Sequence, residues 1–583
     1  MVAAVPPSRT PEQSAAALAG DGGVQPAGSP VPHGRRLLAV AAVTAAVVLL
    51  FVAYLQVSRT YPENSDESND LLMAWDILHG NLLLHGWYLS DVSFITTELP
   101  QYALLAGLLG LHTNTAHVAA AMTYTLVVVL AVLLARGSAA EVPHEAAWPR
   151  MLLTAGIIFA PQLGVAVFVV LLSLGHLGTA VPLLLIWLAI DRVARLRWRW
   201  VCPVAVAAGM TWALVADPLV LIVGIIPLVV VCAVRVAREL VLARRERGPR
   251  RGPGPGWAVA CLRARWAELA LAVAAIVAEG LAAVVNRLVR ALGGFVLHPV
   301  PYQLAPVRTW PKHAYVTAKG LLALYGAKPE GPPIALVFAL LHLAGVALVV
   351  WAAWRVARHF AAWPDLISQV LLIAMVINVL LYVPSTLADA TDLNAREFAV
   401  VLPFGAALAG RTLAAGLLAQ PAPGAQASAA AAGARAVCWR RWIAVAVAAG
   451  YAASLGWAAA RPAVPPMNAR LATFLASHHL TRGIGGYWLS SVVTVGSNGA
   501  VTIRAVTPAN LAPDLWEAKR SWYDSTAHEV TFVVTDAASG FFNHWQPQAS
   551  ALTALGPPAR TYHVGPYTIY VWNKNLLAKI PRA

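Results

Sequence analysis

The stretch Arg35–Arg59 reads RRLLAVAAVTAAVVLLFVAYLQVSR, and the polar loop after it, Asn64–Asn81, reads NSDESNDLLMAWDILHGN. Two arginines precede about twenty apolar residues, Leu37 to about Val57, the length an α-helix needs to cross about 30 Å of hydrocarbon. A signal peptide would have a shorter apolar core and a small-residue cleavage site, and here Gln56-Val57-Ser58-Arg59 follows instead. The stretch is therefore an uncleaved first span with its N-terminus inside. The loop beyond it holds the densest carboxylate run in a chain with 27 Asp and Glu among 583 residues. Acids gathered where a span has just left the bilayer, followed by an amphipathic helix over Leu71–Leu78, point to a reaction centre facing outward.

Composition agrees with a polytopic membrane protein. The chain is 59% hydrophobic and 12% charged, too little polar surface to cover its apolar mass in water. The net charge of +15 would fit a nucleic-acid partner, but the basic residues concentrate in short loops between apolar segments, as the positive-inside rule requires, so no nucleic acid is expected. Cys202, Cys232, Cys261 and Cys438 match no zinc spacing and form no disulfide framework for an exported tail; they read as inert structural thiols.

Residues 1–34, rich in Ala, Pro, Gly and Ser, read as a disordered cytoplasmic tail. Residues 35–460 form an all-α transmembrane domain of about 11 helices, the further spans falling near 115–136, 150–172, 175–191, 201–216, 218–235, 267–286, 333–354, 364–384, 398–419 and 442–460. Arg192–Arg199, Arg235–Arg265, Arg355–Arg358 and Arg411–Arg441 then lie inside, with Trp148, Trp198, Trp200, Trp266, Trp354, Trp363 and Trp442 at span ends. Leu99–Leu111 is too short to span and reads as a surface or re-entrant helix. Gly248–Gly256 and Gln420–Gly433 look like flexible inner linkers. From 461 to 583 apolar density falls, and the pattern predicts a small extracytoplasmic α/β domain: a helix over Met467–Leu480 and strands at Val501–Val506, Glu529–Asp536, Arg560–Val564 and Tyr567–Trp572.

Asp66 and Glu67 stand about ten residues beyond the first span. A carboxylate there could take a proton from an acceptor hydroxyl or hold a divalent cation against a phosphate leaving group; whether a metal takes part is left open by the residues. The rival reading is that these acids solvate the loop or cap its helix. The segment Asn286–Pro332 carries Arg287, Arg290, Arg308, Lys312, Lys319 and Lys328 beside Tyr302, Trp310 and Tyr315, suited to a lipid phosphate and a stacked sugar, or simply to anionic lipid heads. Asp217 falls at an outer turn, and Glu279, His342 and Asn378 lie within apolar runs, where ionisable groups are costly unless paired or facing a cavity. A Glu279–His342 pair between spans would satisfy both. In the tail, Arg482–Trp488 has glycines without the spacing of a dinucleotide loop, and Trp488, Trp516, Trp522 and Trp545 fit either a carbohydrate platform or core packing.

Asp66-Glu67, Ala74 eight residues after Asp66, then Leu78, Gly80, the Gly86-Trp87 turn and Leu99-Pro100-Gln101-Tyr102 resemble the first outer loop of GT-C glycosyltransferases. The similarity is to the protein O-mannosyltransferase and aminoarabinose transferase branch, grouped as family 39-like. Gly175-His176-Leu177-Gly178 at an outer turn, and Arg396-Glu397-Phe398 leading into Val401-Leu402-Pro403, extend it. The chain departs where Asn69 and Asp70 replace an aromatic pair and Thr97-Glu98-Leu99-Pro100 stands for a Lys-Pro-Pro element. The resemblance implies a multi-pass plasma-membrane enzyme that takes a sugar from a polyprenyl phosphate on the outer face and passes it to a protein, lipid or polysaccharide acceptor. It implies Asp66 as the catalytic carboxylate and singles out Arg396 for the donor phosphate; the residues themselves add Glu67 or Asp217 as a supporting acid, and His176, Lys312 and Asp217 on the donor side. A transporter or lipid flippase, and a noncatalytic cell-envelope scaffold, are the alternatives; a transporter would show related halves and broken helices at the midplane, whereas here the best polar cluster is in a loop.

Overall fold

The computed structural model describes residues 33–138, 142, 144–159, 163–172, 176–193, 200–247, 256–388, 392–417, 442, 445–538 and 544–582. The chain divides into two compact units, Met1–Leu49 and Leu50–Ala583. In the first, the described residues belong to the helix His33–Ser58, whose side chains Leu37, Leu38 and Val40 are exposed apolar surface. Most of the expected tail, the linker Gln420–Gly433, all of the linker Gly248–Gly256 but its last residue, Cys438 and residues 194–199 lie outside the described residues.

The second unit is mostly helical. Together with Leu37–Ser58, the segments Asn114–Arg136, Leu221–Arg245, Trp266–Ala291 and Pro333–Arg358 are long and apolar enough to cross a membrane. Shorter apolar helices include Val201–Ala216, Leu366–Tyr382 and Val401–Ala414. The expected span at 150–172 is not one helix: His144–Ile158 ends, and a seven-residue helix, Val165–Leu171, follows. The interior is packed with small and branched side chains, among which Tyr54 and Tyr124 meet edge to face at 4.7 Å. No Glu279–His342 pair forms: Glu279 is exposed, while buried His342 bonds Ser454 Oγ at 3.1 Å and packs on Tyr451.

Two sheets complete the unit. β1 (Trp87–Leu89) lies between β2 (Val296–Leu297), parallel to it, and β5 (Ala518–Lys519), antiparallel. The other sheet has the order β4 (Thr502–Ala505), β3 (Arg482–Gly485), β6 (Phe532–Asp536), β8 (Tyr567–Val571), β7 (Arg560–Val564). β3 is parallel to β4 and β6, and the last three strands are antiparallel. The helices Ala469–Ser477 and Tyr487–Gly496 bury Leu471, Leu475, Leu489 and Val493 against Ile503, Phe532 and Ile569. The glycine-containing segment Arg482–Trp488 is a strand running into a helix. Its Gly483 is required, because a Cβ there would lie 2.0 Å from the Phe532 ring.

Candidate active site

The helix of the acidic loop begins at Ser65, six residues earlier than periodicity suggests. Asn64 starts it: its side chain accepts from the Asp66 N–H at 2.7 Å, and its own N–H donates to Glu67 Oε2 at 2.8 Å, a reciprocal capping box. Glu67 is therefore turned into the protein and fully buried, where burial, then repulsion from Asp66, raises its pKa well above the usual range. The residue before it in the first turn, Asp66, faces a cavity of about 370 Å³ instead.

Five parts of the chain wall that cavity. Asp66 and Asp70 come from the capped helix; Ser90, Asp91 and Phe94 from the chain beyond β1; His176 from a turn; Arg396 and Glu397 from the short 3-10 helix Asp392–Phe398; Tyr487, Trp488, Asp514, Trp516 and Glu517 from the C-terminal region. Arg396 Nη1 lies 3.4 Å from Asp66 Oδ2, and its Nε lies 3.6 Å from Glu397 Oε1. With 36% of its side chain exposed, this guanidinium still has donors for a further anion. Tyr487 places its hydroxyl 2.7 Å from Asp66 Oδ1 and 2.6 Å from Glu517 Oε2, with Asn69 Nδ2 donating to it at 3.1 Å. Ser65 Oγ donates to the Tyr487 carbonyl at 2.6 Å, and Ser491 to Asn69, so the C-terminal helix is stitched to the capped one.

His176 sits between two carboxylates, Nδ1 donating to Asp217 Oδ2 at 2.7 Å and Nε2 to Glu397 Oε2 at 3.0 Å. Burial opposes its charge, but the Asp217 and Glu397 carboxylates prevail and hold the imidazole pKa well above 6.5. Asp217 is completely buried behind it, accepting also from Thr179 and from the Leu219 N–H at 2.8 Å; burial acts upward on its pKa, yet His176 and these donors keep it lowered. Glu98, also buried, has Oε2 without a hydrogen-bond partner and is pushed up to about 7, chiefly by burial. It fits only because residue 178 is glycine: a Cβ there would stand 1.5 Å from Glu98 Oε1. Three cavity residues that are not glycine, Phe94, His176 and Glu517, have φ of 46°, 46° and 51°, each at a cost of about 1–3 kcal/mol that surrounding contacts must offset.

Of the residues singled out in the sequence, Asp66, Arg396 and His176 come together on the cavity, with Asp217 one bond behind. Glu67 does not reach it. Nor does Lys312, exposed on the helix Trp310–Leu324, where Lys319 lies over Tyr315; Tyr302, before that helix, bonds the Leu381 carbonyl at 2.7 Å. Asp70 is no helix-surface acid: it is buried, and burial followed by repulsion from Glu517 and Asp66 raises its pKa. Asp76 anchors instead, accepting from Lys519 Nζ and Trp87 Nε1, each at 2.8 Å. Trp488 and Trp516 line the cavity, whereas Trp522 packs edge to face on Trp87 under the Arg504 guanidinium. Glu397, Tyr487 and Glu517 went unread in the sequence, although Glu397 adjoins Arg396. Among the described residues no group of three or more His, Cys, Asp or Glu has a metal-ligating arrangement.

No family model matches the chain, and no curated protein matches it. Among solved structures it is similar to ArnT from Cupriavidus metallidurans bound to undecaprenyl phosphate, at 13% identity over 91% of this chain and 97% of that one, with a TM-score of 0.50. The same protein in the apo state matches at 14% identity over 93% of this chain and 100% of that one, with a TM-score of 0.49. The likeness to the first is one of fold: over nearly the whole of both chains, this protein shares the architecture of that solved structure.

Proposed function

We propose that the protein is an integral membrane glycosyltransferase that moves a sugar from a polyprenyl-phosphate carrier to an envelope acceptor on the outer face of the membrane. The observation that carries this reading is the pairing, in one accessible cavity, of the Asp66 carboxylate with the Arg396 guanidinium. The arrangement supplies both halves of a transfer from a phosphate. Arg396 offers N–H donors to the phosphate oxygens, on which negative charge grows as the bond to the sugar breaks. Asp66 accepts the proton that the acceptor hydroxyl loses as it attacks. His176, held as an imidazolium by Asp217 and Glu397, adds a second positive group to the cavity wall. The solved structure of like fold, bound to undecaprenyl phosphate, is consistent with a polyprenyl-phosphate donor here. In this reading the N-terminus is cytoplasmic, residues 35–460 are the membrane domain, and residues 461–583 stand outside.

Asp66→Asn tests the assignment. The amide keeps the shape and a hydrogen bond to Tyr487 but cannot take a proton, so transfer from a polyprenyl-phosphate sugar should fall by about 10²–10⁴-fold with insertion and melting unchanged. Full activity in that variant would sink the assignment.

A further inference from the structure

A second cavity, about 200 Å³, opens within the C-terminal region beside the first. Tyr487, Trp488 and Asp514 line both. The remainder of its wall includes Gly486, Pro508, Asp536, His544 and Trp545, and among the described residues lining it there is no lysine or arginine. The Asp66 cavity sets Arg396 and His176 among its carboxylates, suited to an anion, while the second has aromatic faces, two carboxylates and His544 with no lysine or arginine beside them.

Its indoles are held in place by the fold. Trp545 pairs with Asp536 through two backbone hydrogen bonds, of 2.9 and 3.0 Å. Its ring lies against Gly486, where a Cβ would come within 2.3 Å of Trp545 Cγ. The carboxyls are fixed too: Asp536 Oδ1 accepts from the Ala538 N–H at 2.8 Å, and Asp514 Oδ1 from the Trp516 N–H at 3.2 Å. An aromatic face takes the C–H side of a pyranose ring, and a carboxylate, which only accepts, takes its hydroxyl protons. A phosphate or a carboxylated ligand would meet Asp514 and Asp536 with no lysine or arginine in the lining to offset them.

We infer that this cavity is a sugar-binding subsite that seats the carbohydrate part of the acceptor beside the transfer cavity; the acceptor role rests on the glycosyltransferase reading above. The shared wall sets the geometry: a sugar stacked on Trp488 and Trp545 reaches the Asp66 cavity past Asp514.

The test uses the full chain purified in detergent, with methyl β-D-glucopyranoside and methyl α-D-mannopyranoside as probes, followed by saturation-transfer NMR. At least one glycoside should bind saturably. Trp545→Ala should weaken that binding by about tenfold or more by removing a stacking face. Pro508→Trp, at an exposed rim position, should block it by filling the cavity without disturbing the core, so the answer does not depend on how well Trp545→Ala folds. Asp66→Asn should bind as the wild type does. Absence of binding by both glycosides, binding untouched by both variants, or binding of a tetralysine peptide in their place overturns the inference. In transfer assays Trp545→Ala should raise the acceptor KM and leave the donor KM alone; a raised donor KM overturns the acceptor role. The binding arm needs no turnover, so full transfer by Asp66→Asn would remove the function assignment and leave the sugar site standing.

Discussion

Replacing Glu517 by glutamine should make the protein more stable in mild alkali and flatten part of its pH dependence. The Tyr487 hydroxyl lies within 2.7 Å of oxygens from both Asp66 and Glu517, but a phenol has one proton and can donate to only one of them. The other short contact needs a proton of its own. Burial, and then repulsion from Asp66, pushes Glu517 up to about 7 from its ordinary 4.5, so Glu517 is the acid that holds it. Glu517 donates to Tyr487, and Tyr487 donates to Asp66. The folded state thus binds an extra proton between these two values. Its stabilising effect is complete below pH 4.5 and is lost as pH rises through about 7. A shift of that size is worth roughly 3 kcal/mol. Glutamine keeps an N–H to donate to Tyr487 and does not titrate. Thermal unfolding of both proteins in detergent, from about pH 5 to about pH 8, checks the sign. His176 imposes a fall of its own over this range in both proteins, so the difference between the two reports Glu517 together with its repulsion of Asp70, which acts in the same direction. The variant should gain on the wild type as pH rises; parallel curves, or a variant less stable at the alkaline end, would refute the proton assignment.

Other perturbations separate binding from architecture. Arg396→Gln should raise the donor KM by about 10–100-fold, the loss of a charge-assisted hydrogen bond of about 1.5–3 kcal/mol, with little change in melting; steady-state kinetics decides. Asp217→Asn removes one partner of the buried His176 pair and should destabilise the fold by about 3–5 kcal/mol. Because His176 owes its raised pKa to that carboxylate, its protonation, followed by NMR of labelled histidine, should also be lost at lower pH than in the wild type. Gly178→Ala drives a methyl into the Glu98 carboxyl and should cost about 1–3 kcal/mol by overpacking, read as a lower melting temperature.

Much of the membrane part was legible because apolar runs of about twenty residues have few other uses. The interruption after Ile158 was less so, since Val165–Leu171 is as apolar as a span and only its neighbours show that it is a separate turn of helix. The Asn64–Glu67 spacing of a capping box was on the page, and reading it would have moved Glu67 from chemistry to architecture and started the helix at Ser65. Asp70 follows from the same correction, because one helical turn beyond Asp66 lies on the same face. Tyr487 and Glu517 had no such signal. They reach Asp66 from more than 400 residues away, by a pairing of β1 with β5 that two residues of each strand suffice to make. Such short strands carry no period to detect. The site's backbone strain at Phe94 and Glu517 is equally invisible, since neither residue type announces a left-handed conformation.

The small sheet in which β1 receives β2 on one side and β5 on the other also fixes when the cavity can exist. During synthesis β1 emerges early, β2 some 200 residues afterwards and β5 only near the end, so the wall that bears Tyr487 and Glu517 is the last to arrive. A nascent chain would display Asp66 with nothing to hold it against Arg396 from the far side. Closure of the cavity is thereby postponed until assembly is finished, and a chain cut short before Lys519 would keep its long apolar helices yet lack that wall.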